Sequence, residues 1–158
     1  MPLLEWSDAL VLDMPVMDAT HEEFVVLLAE VEAAGDDALV ERWRALVAHT
    51  EEHFGREDEW MRATGFAPNN CHSTQHAVVL NVMREGLQRE GPDQLAMIRT
   101  MAGELAPWFV QHAQAMDAAL ALHLRSVDFD PARGIVRAPQ ALPATPMTHC
   151  GAGRCVTA

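Results

Sequence analysis

Five histidines and two carboxylates stand where helical spacing can gather them: His21, His53 with Glu57, His72 with His76, and His112 with Asp117. Residues four apart on an α-helix differ by only ~40° in direction and ~6 Å in height. His53 with Glu57, and His72 with His76, therefore each offer two ligand groups from one face. His112 and Asp117 are five apart, ~140° around an ideal helix, and spacing alone does not aim both at one metal. Imidazole and carboxylate together, with no thiol among them, suit iron better than metals that prefer sulfur. Ligation needs neutral imidazoles and ionised carboxylates, so such a site loses metal in acid. Two other metal chemistries are discounted by spacing. His72-Ser73-Thr74-Gln75-His76 lacks the glutamate of a zinc protease helix, and no glutamate stands three residues before a histidine as ferritin-like carboxylate sites require.

The elements that must position these groups are helices. Apolar residues recur at three- and four-residue intervals over about 18–34, 37–64 and 93–124, and from a cap at Asn69 or Asn70 to about Gln88. The ligand candidates continue these stripes: His21 with Val25, Leu28 and Val31; His53 and Glu57 with Leu46 and Trp60; His76 with Val79 and Met83; His112 with Leu105, Phe109 and Met116. Histidine and glutamate on an inward stripe need a partner, and a shared metal supplies one for all of them. Gly35, Gly65 with Pro68, and Gly91 with Pro92 break the chain between helices, and Pro107 is expected to kink or split the fourth. Such short connections predict an all-α, up-down-up-down four-helix bundle. Residues 1–17 form an N-terminal arm with Trp6, Leu10, Leu12 and Met14 to pack over it. The expected domain spans 1–125, followed at 126–158 by a Pro- and Ala-rich tail with little regular structure.

A length of 158 residues fits one domain, and 49% hydrophobic residues suffice for a packed core. With 23 acidic against 11 basic side chains the formal charge is -12, which repels nucleic-acid backbones and anionic membrane surfaces. No apolar run approaches the ~18 residues of a membrane span, and the first residues lack a basic signal-peptide start. Three cysteines, Cys71, Cys150 and Cys155, do not resemble a secreted disulfide framework, so a cytoplasmic setting is expected. In the acidic run Glu57-Asp58-Glu59, only Glu57 is expected to leave solvent. His123 is read as capping or decorating the end of the fourth helix. The tail segment with His149, Cys150 and Cys155 could hold a soft metal or a redox pair, but matches no zinc spacing and is read as unstructured.

The order His21, His53-x3-Glu57, His72-x3-His76, His112-x4-Asp117 resembles the hemerythrin family, in particular its bacterial members. His49-Thr50-Glu51-Glu52-His53-Phe54-Gly55-Arg56-Glu57-Asp58-Glu59-Trp60-Met61 is similar to the family's Thr-x-x-His-Phe-x-x-Glu-acidic-x-x-Met. Trp108-Phe109-Val110-Gln111-His112 is similar to its Trp-Leu-x-x-His, and the resemblance covers about residues 6–124. It implies a non-haem di-iron centre, with one iron on His72, His76 and His112 and the other on His21 and His53. Glu57 and Asp117, with an oxo or hydroxo group, would bridge them. It also implies reversible dioxygen binding at the less saturated iron, as a carrier, store or local supplier rather than an enzyme, with Phe24, Trp108 and Phe109 as candidate pocket lining. The rival readings are an oxidoreductase acting on peroxide or nitric oxide, and an iron- or oxygen-sensing binding protein. Two positions depart from the family pattern. Phe109 stands where leucine is usual, and His49 where tyrosine is frequent; His49 could hydrogen-bond behind a ligand or compete as one.

Overall fold

The computed structural model describes residues 1–66 and 71–147. Four long rods follow the predicted order: α1 (Pro15–Ala33), α2 (Asp36–Ala63), α3 (Cys71–Gln88), and a fourth built from α4 (Gly91–His112), a five-residue π segment (Ala113–Asp117) and α5 (Ala118–Ser126). The first rod packs on the second and fourth, and the third also packs on the second and fourth, giving the expected all-α bundle. Pro15 lies in the first turn of α1, where its missing N–H costs nothing. The Asp18 carboxylate reaches back to accept the Leu12 and Met14 amides at 2.7 and 3.2 Å, tying the arm to the helix start. At the end of α2, Gly65 takes a left-handed conformation (φ 68°) and the Phe66 amide closes onto the Met61 carbonyl at 2.8 Å. That is the stop its glycine foretold. Pro107 does not split its helix: α4 continues through it to His112, and the regular ladder changes only at the π segment.

Apolar side chains form two clusters, and along every rod the ligand candidates fall between them. One cluster gathers Phe24, Leu28, Leu39, Trp43, Leu46, Met83, Ile98, Leu105 and Phe109, and the arm contributes Leu4 and Leu10. The other gathers Met17, Trp60, Met61, Phe66, Leu120 and Leu124, with Leu12 and Met14 from the arm. Helices approach closely in the first cluster. The Trp43 indole donates to the Met83 carbonyl at 2.9 Å, and a Cβ on Gly86 would lie only 2.9 Å from the indole nitrogen.

Beyond α5 the chain is mostly irregular but begins by packing on the bundle. Val127 and Phe129 are buried in the second cluster, Phe129 edge-on to Trp60 at 6.0 Å. A minimal antiparallel ribbon pairs β1 (Phe129–Asp130) with β2 (Ile135–Val136), and the Met147 amide bonds the Gly65 carbonyl at 2.8 Å. His123 does more than cap a helix. It is buried, with Nε2 2.9 Å from the Thr64 carbonyl, and so ties the end of α5 to the end of α2. Cys71 is disulfide-bonded, which the cysteine count did not foretell; its partner, like His149, Cys150 and Cys155, lies outside the described residues. No helix among the described residues is long and apolar enough to cross a membrane.

Candidate metal centre

All seven predicted ligands meet between the two apolar clusters, and none is more than 3% exposed. The five histidines turn their Nε2 atoms inward, and the two carboxylates divide their oxygens between two sets of them. Glu57 Oε1 lies 3.0 Å from His53 and 3.7 Å from His21, whereas Oε2 lies 3.6 Å from His72 and 3.4 Å from His76. Asp117 Oδ2 lies 3.2 Å from His21, whereas Oδ1 lies 2.9 Å from His72 and 3.1 Å from His112. Two overlapping groups result: His72, His76 and His112 with both carboxylates, and His21 and His53 with the same two. Within each group the ligand atoms lie within 4.8 Å of one another.

The π segment explains how His112 and Asp117 cooperate although five residues apart. The Ala118 amide bonds the Ala113 carbonyl, an i to i−5 closure that widens the turn and brings residues five apart nearly above one another. The sequence offered no sign of this, since Ala113, Gln114, Ala115 and Met116 are compatible with an ordinary α-turn.

A buried cluster of this polarity is costly unless its atoms find partners. Several do not find them in one another. His21 Nε2, His72 Nε2, Glu57 Oε2 and both Asp117 oxygens have no hydrogen-bond partner despite their proximity. Their lone pairs converge on shared points instead, and hard-to-intermediate donors arranged so fit metal cations of the iron type.

In the metal-free chain, protons stand in for the cations. Burial pushes His21 and His72 down, but hydrogen bonds and charge from Asp117 and Glu57 outweigh it and raise each to about 10. His76 is also raised, burial being outweighed by Asp58 and Glu57. His112 is lowered, chiefly by burial. Burial alone would raise Glu57, yet the charge of His53 and hydrogen bonds from His21, His53 and His72 hold it well below the usual carboxylate range. Asp117 is likewise held well below: burial and the Glu57 charge act upward, and His112 and His21 prevail.

The neighbours differ from expectation in three places. Phe24 and Phe109 stack at 4.4 Å, with Phe109 edge-on to His21 at 5.2 Å, so both border the two-histidine side. Trp108 does not join them; it stacks on His112 at 4.6 Å, on the three-histidine side. His49 stays outside both ligand groups, with Nε2 3.2 Å from Glu23 and its ring 6.1 Å from that of His53. Asp58, expected in solvent, accepts from His76 Nδ1 at 2.8 Å, and Gln75 Oε1 lies 3.0 Å from His112 Nδ1. Both partners are remote in sequence from the histidines they serve, so no local pattern marks them.

A helical bundle with interior imidazole and carboxylate ligands defines a metal-binding protein of the non-haem class. The comparisons give the family. Residues 13–123 match the model of the hemerythrin HHE cation binding domain. Over 117 residues the chain is 40% identical to the bacteriohemerythrin of Ralstonia nicotianae, covering 74% of this chain and 85% of that protein. Over 127 residues it is 29% identical to the bacteriohemerythrin of Stenotrophomonas maltophilia, covering 77% and 81%. No solved structure matches it. The chain belongs to the hemerythrin family.

Proposed function

We propose that this chain holds two iron ions and binds dioxygen reversibly. The observation that carries the reading is the division of each carboxylate between a three-histidine and a two-histidine set. His72, His76 and His112 would hold one iron and His21 and His53 the other, with Glu57 and Asp117 shared. One set is thus a ligand short of its neighbour. Two ferrous ions supply the two electrons that dioxygen takes on binding and returns on leaving. The chain's own contribution is to keep that reaction reversible. Phe24 and Phe109, buried and stacked beside His21, exclude water from the less saturated side.

The test is to load the metal-free protein anaerobically with Fe(II), admit oxygen, record the visible spectrum and degas. A charge-transfer band that appears and then disappears is the expected result. A permanent ferric spectrum with consumption of added peroxide would replace carriage by an oxidoreductase, and uptake of fewer than two irons would end the di-iron reading.

Phe109 gives a second expectation. Phe109→Leu removes ring volume beside His21 and should speed oxygen release in stopped-flow measurements by roughly tenfold, equivalent to about 1.4 kcal/mol. An unchanged release rate would remove Phe109 from the pocket.

A further inference from the structure

On the two-iron reading, the centre is unequal in a way that ligand count does not express. When a metal takes Nε2 of a histidine, the ring's Nδ1–H is left needing an acceptor, and that acceptor fixes the tautomer, orients the ring and strengthens it as a donor. Among the described residues, acceptors occur only on one side of this centre. His76 Nδ1 has the Asp58 carboxylate at 2.8 Å, and His112 Nδ1 has Gln75 Oε1 at 3.0 Å. Nδ1 of His21, His53 and His72 is buried without a partner. The two supported rings are also clamped by aromatic faces: Phe54 stacks on His76 at 4.0 Å and 7°, and Trp108 on His112 at 4.6 Å and 22°.

We propose that Asp58 and Gln75 are positioning residues, acting through His76 and His112 to make the three-histidine iron the more tightly held and more electron-rich of the two. Asp58 is the stronger of the pair, because a carboxylate acceptor makes a charge-assisted bond and an amide oxygen does not. Its side chain is 31% exposed and makes this contact at the rim of the cluster, so its loss leaves no buried charge behind. Loading is then ordered, and the two-histidine iron, whose rings lack acceptors, is the one that enters last and leaves first.

The experiment is an anaerobic Fe(II) titration of wild type, Asp58→Ala and Asp58→Asn against a competing chelator, with the reduction potentials of the loaded proteins measured alongside. Asp58→Ala is expected to weaken one of two uptake steps by about 10–100-fold and leave the other unchanged. Asp58→Asn, whose amide oxygen still accepts, should lose less. One of the two iron potentials should rise in Asp58→Ala, a change that a role in folding alone would not produce. Far-UV circular dichroism of the metal-free variants should match wild type. Two irons in wild type with both steps and both potentials unmoved in Asp58→Ala would overturn the Asp58 assignment alone, as would equal weakening of both steps. Failure of wild type to take two irons would instead remove the di-iron reading, and this inference with it.

Discussion

Glu57→Ala is expected to lower iron uptake from about two ions per chain to below about one, a loss exceeding the roughly 10–100-fold that follows removal of an outer hydrogen-bond partner. The reason is that Glu57 serves both halves at once. Oε1 faces His53 and His21, Oε2 faces His72 and His76, and the side chain is buried. Truncation removes an oxygen from each half and a negative charge from among imidazoles that are protonated in the metal-free chain. Removing one partner from a buried charged group costs about 3–5 kcal/mol, so the metal-free variant should also unfold at lower denaturant concentration. Colorimetric iron assay after gel filtration gives the stoichiometry, and urea melts give the stability. Glu57→Gln should keep more of the fold than Glu57→Ala while still losing iron. Retention of two irons by Glu57→Ala would show that the carboxylate is not shared.

The second large effect is on pH, and its sign differs between the metal-free and loaded protein. His21 and His72 are raised from 6.5 to about 10 by their carboxylate partners. A raised folded-state value means that this pairing contributes its full stability below about 6.5 and loses it as pH climbs through about 10. Glu57 and Asp117, both depressed, contribute above their ordinary values of 4.5 and 3.8 and lose that contribution as acid titrates them. The metal-free chain should therefore be most stable between these ranges and weaken toward alkaline pH.

Iron reverses the alkaline part, because it requires the same two imidazoles neutral. Loading near neutral pH should expel about two protons from His21 and His72, and the logarithm of the iron affinity should rise by about two per pH unit below about 10. Calorimetry in buffers of different ionisation enthalpy counts the protons. A count of zero near neutrality would mean that these imidazoles are already neutral in the metal-free chain, contrary to the pairing described.

How far the sequence carried the fold and centre can be read residue by residue. The i, i+4 pairs His53/Glu57 and His72/His76 were legible because a regular helix converts spacing into direction. The helices were legible because their stripes run through those ligands and stop at Gly65, Gly91 and their neighbours. Asp117 was not legible from spacing, since the backbone itself changes between it and His112. Asp58 and Gln75 were hidden for another reason. Their partners lie 18 and 37 residues away, on other rods, and only the packing of α3 against α2 and α4 brings them together. Trp108 and Phe109 show the limit of adjacency: neighbours in the chain, they face opposite halves of the centre.

The widened turn in the fourth rod has one more consequence, which concerns length. Each residue of an α-helix advances the direction of its successors by about 100°. Deleting any one of Ala113, Gln114, Ala115 or Met116 would let the rod run as uninterrupted α-helix while preserving every ligand and nearly every apolar side chain. Yet all that follows would change phase: Asp117 would swing away from His112, or the Leu120 and Leu124 face would leave the second cluster. Those four positions therefore act as a spacer whose count matters more than its composition. Exchanges among small or flexible residues should pass there, and a change of one in their number should not.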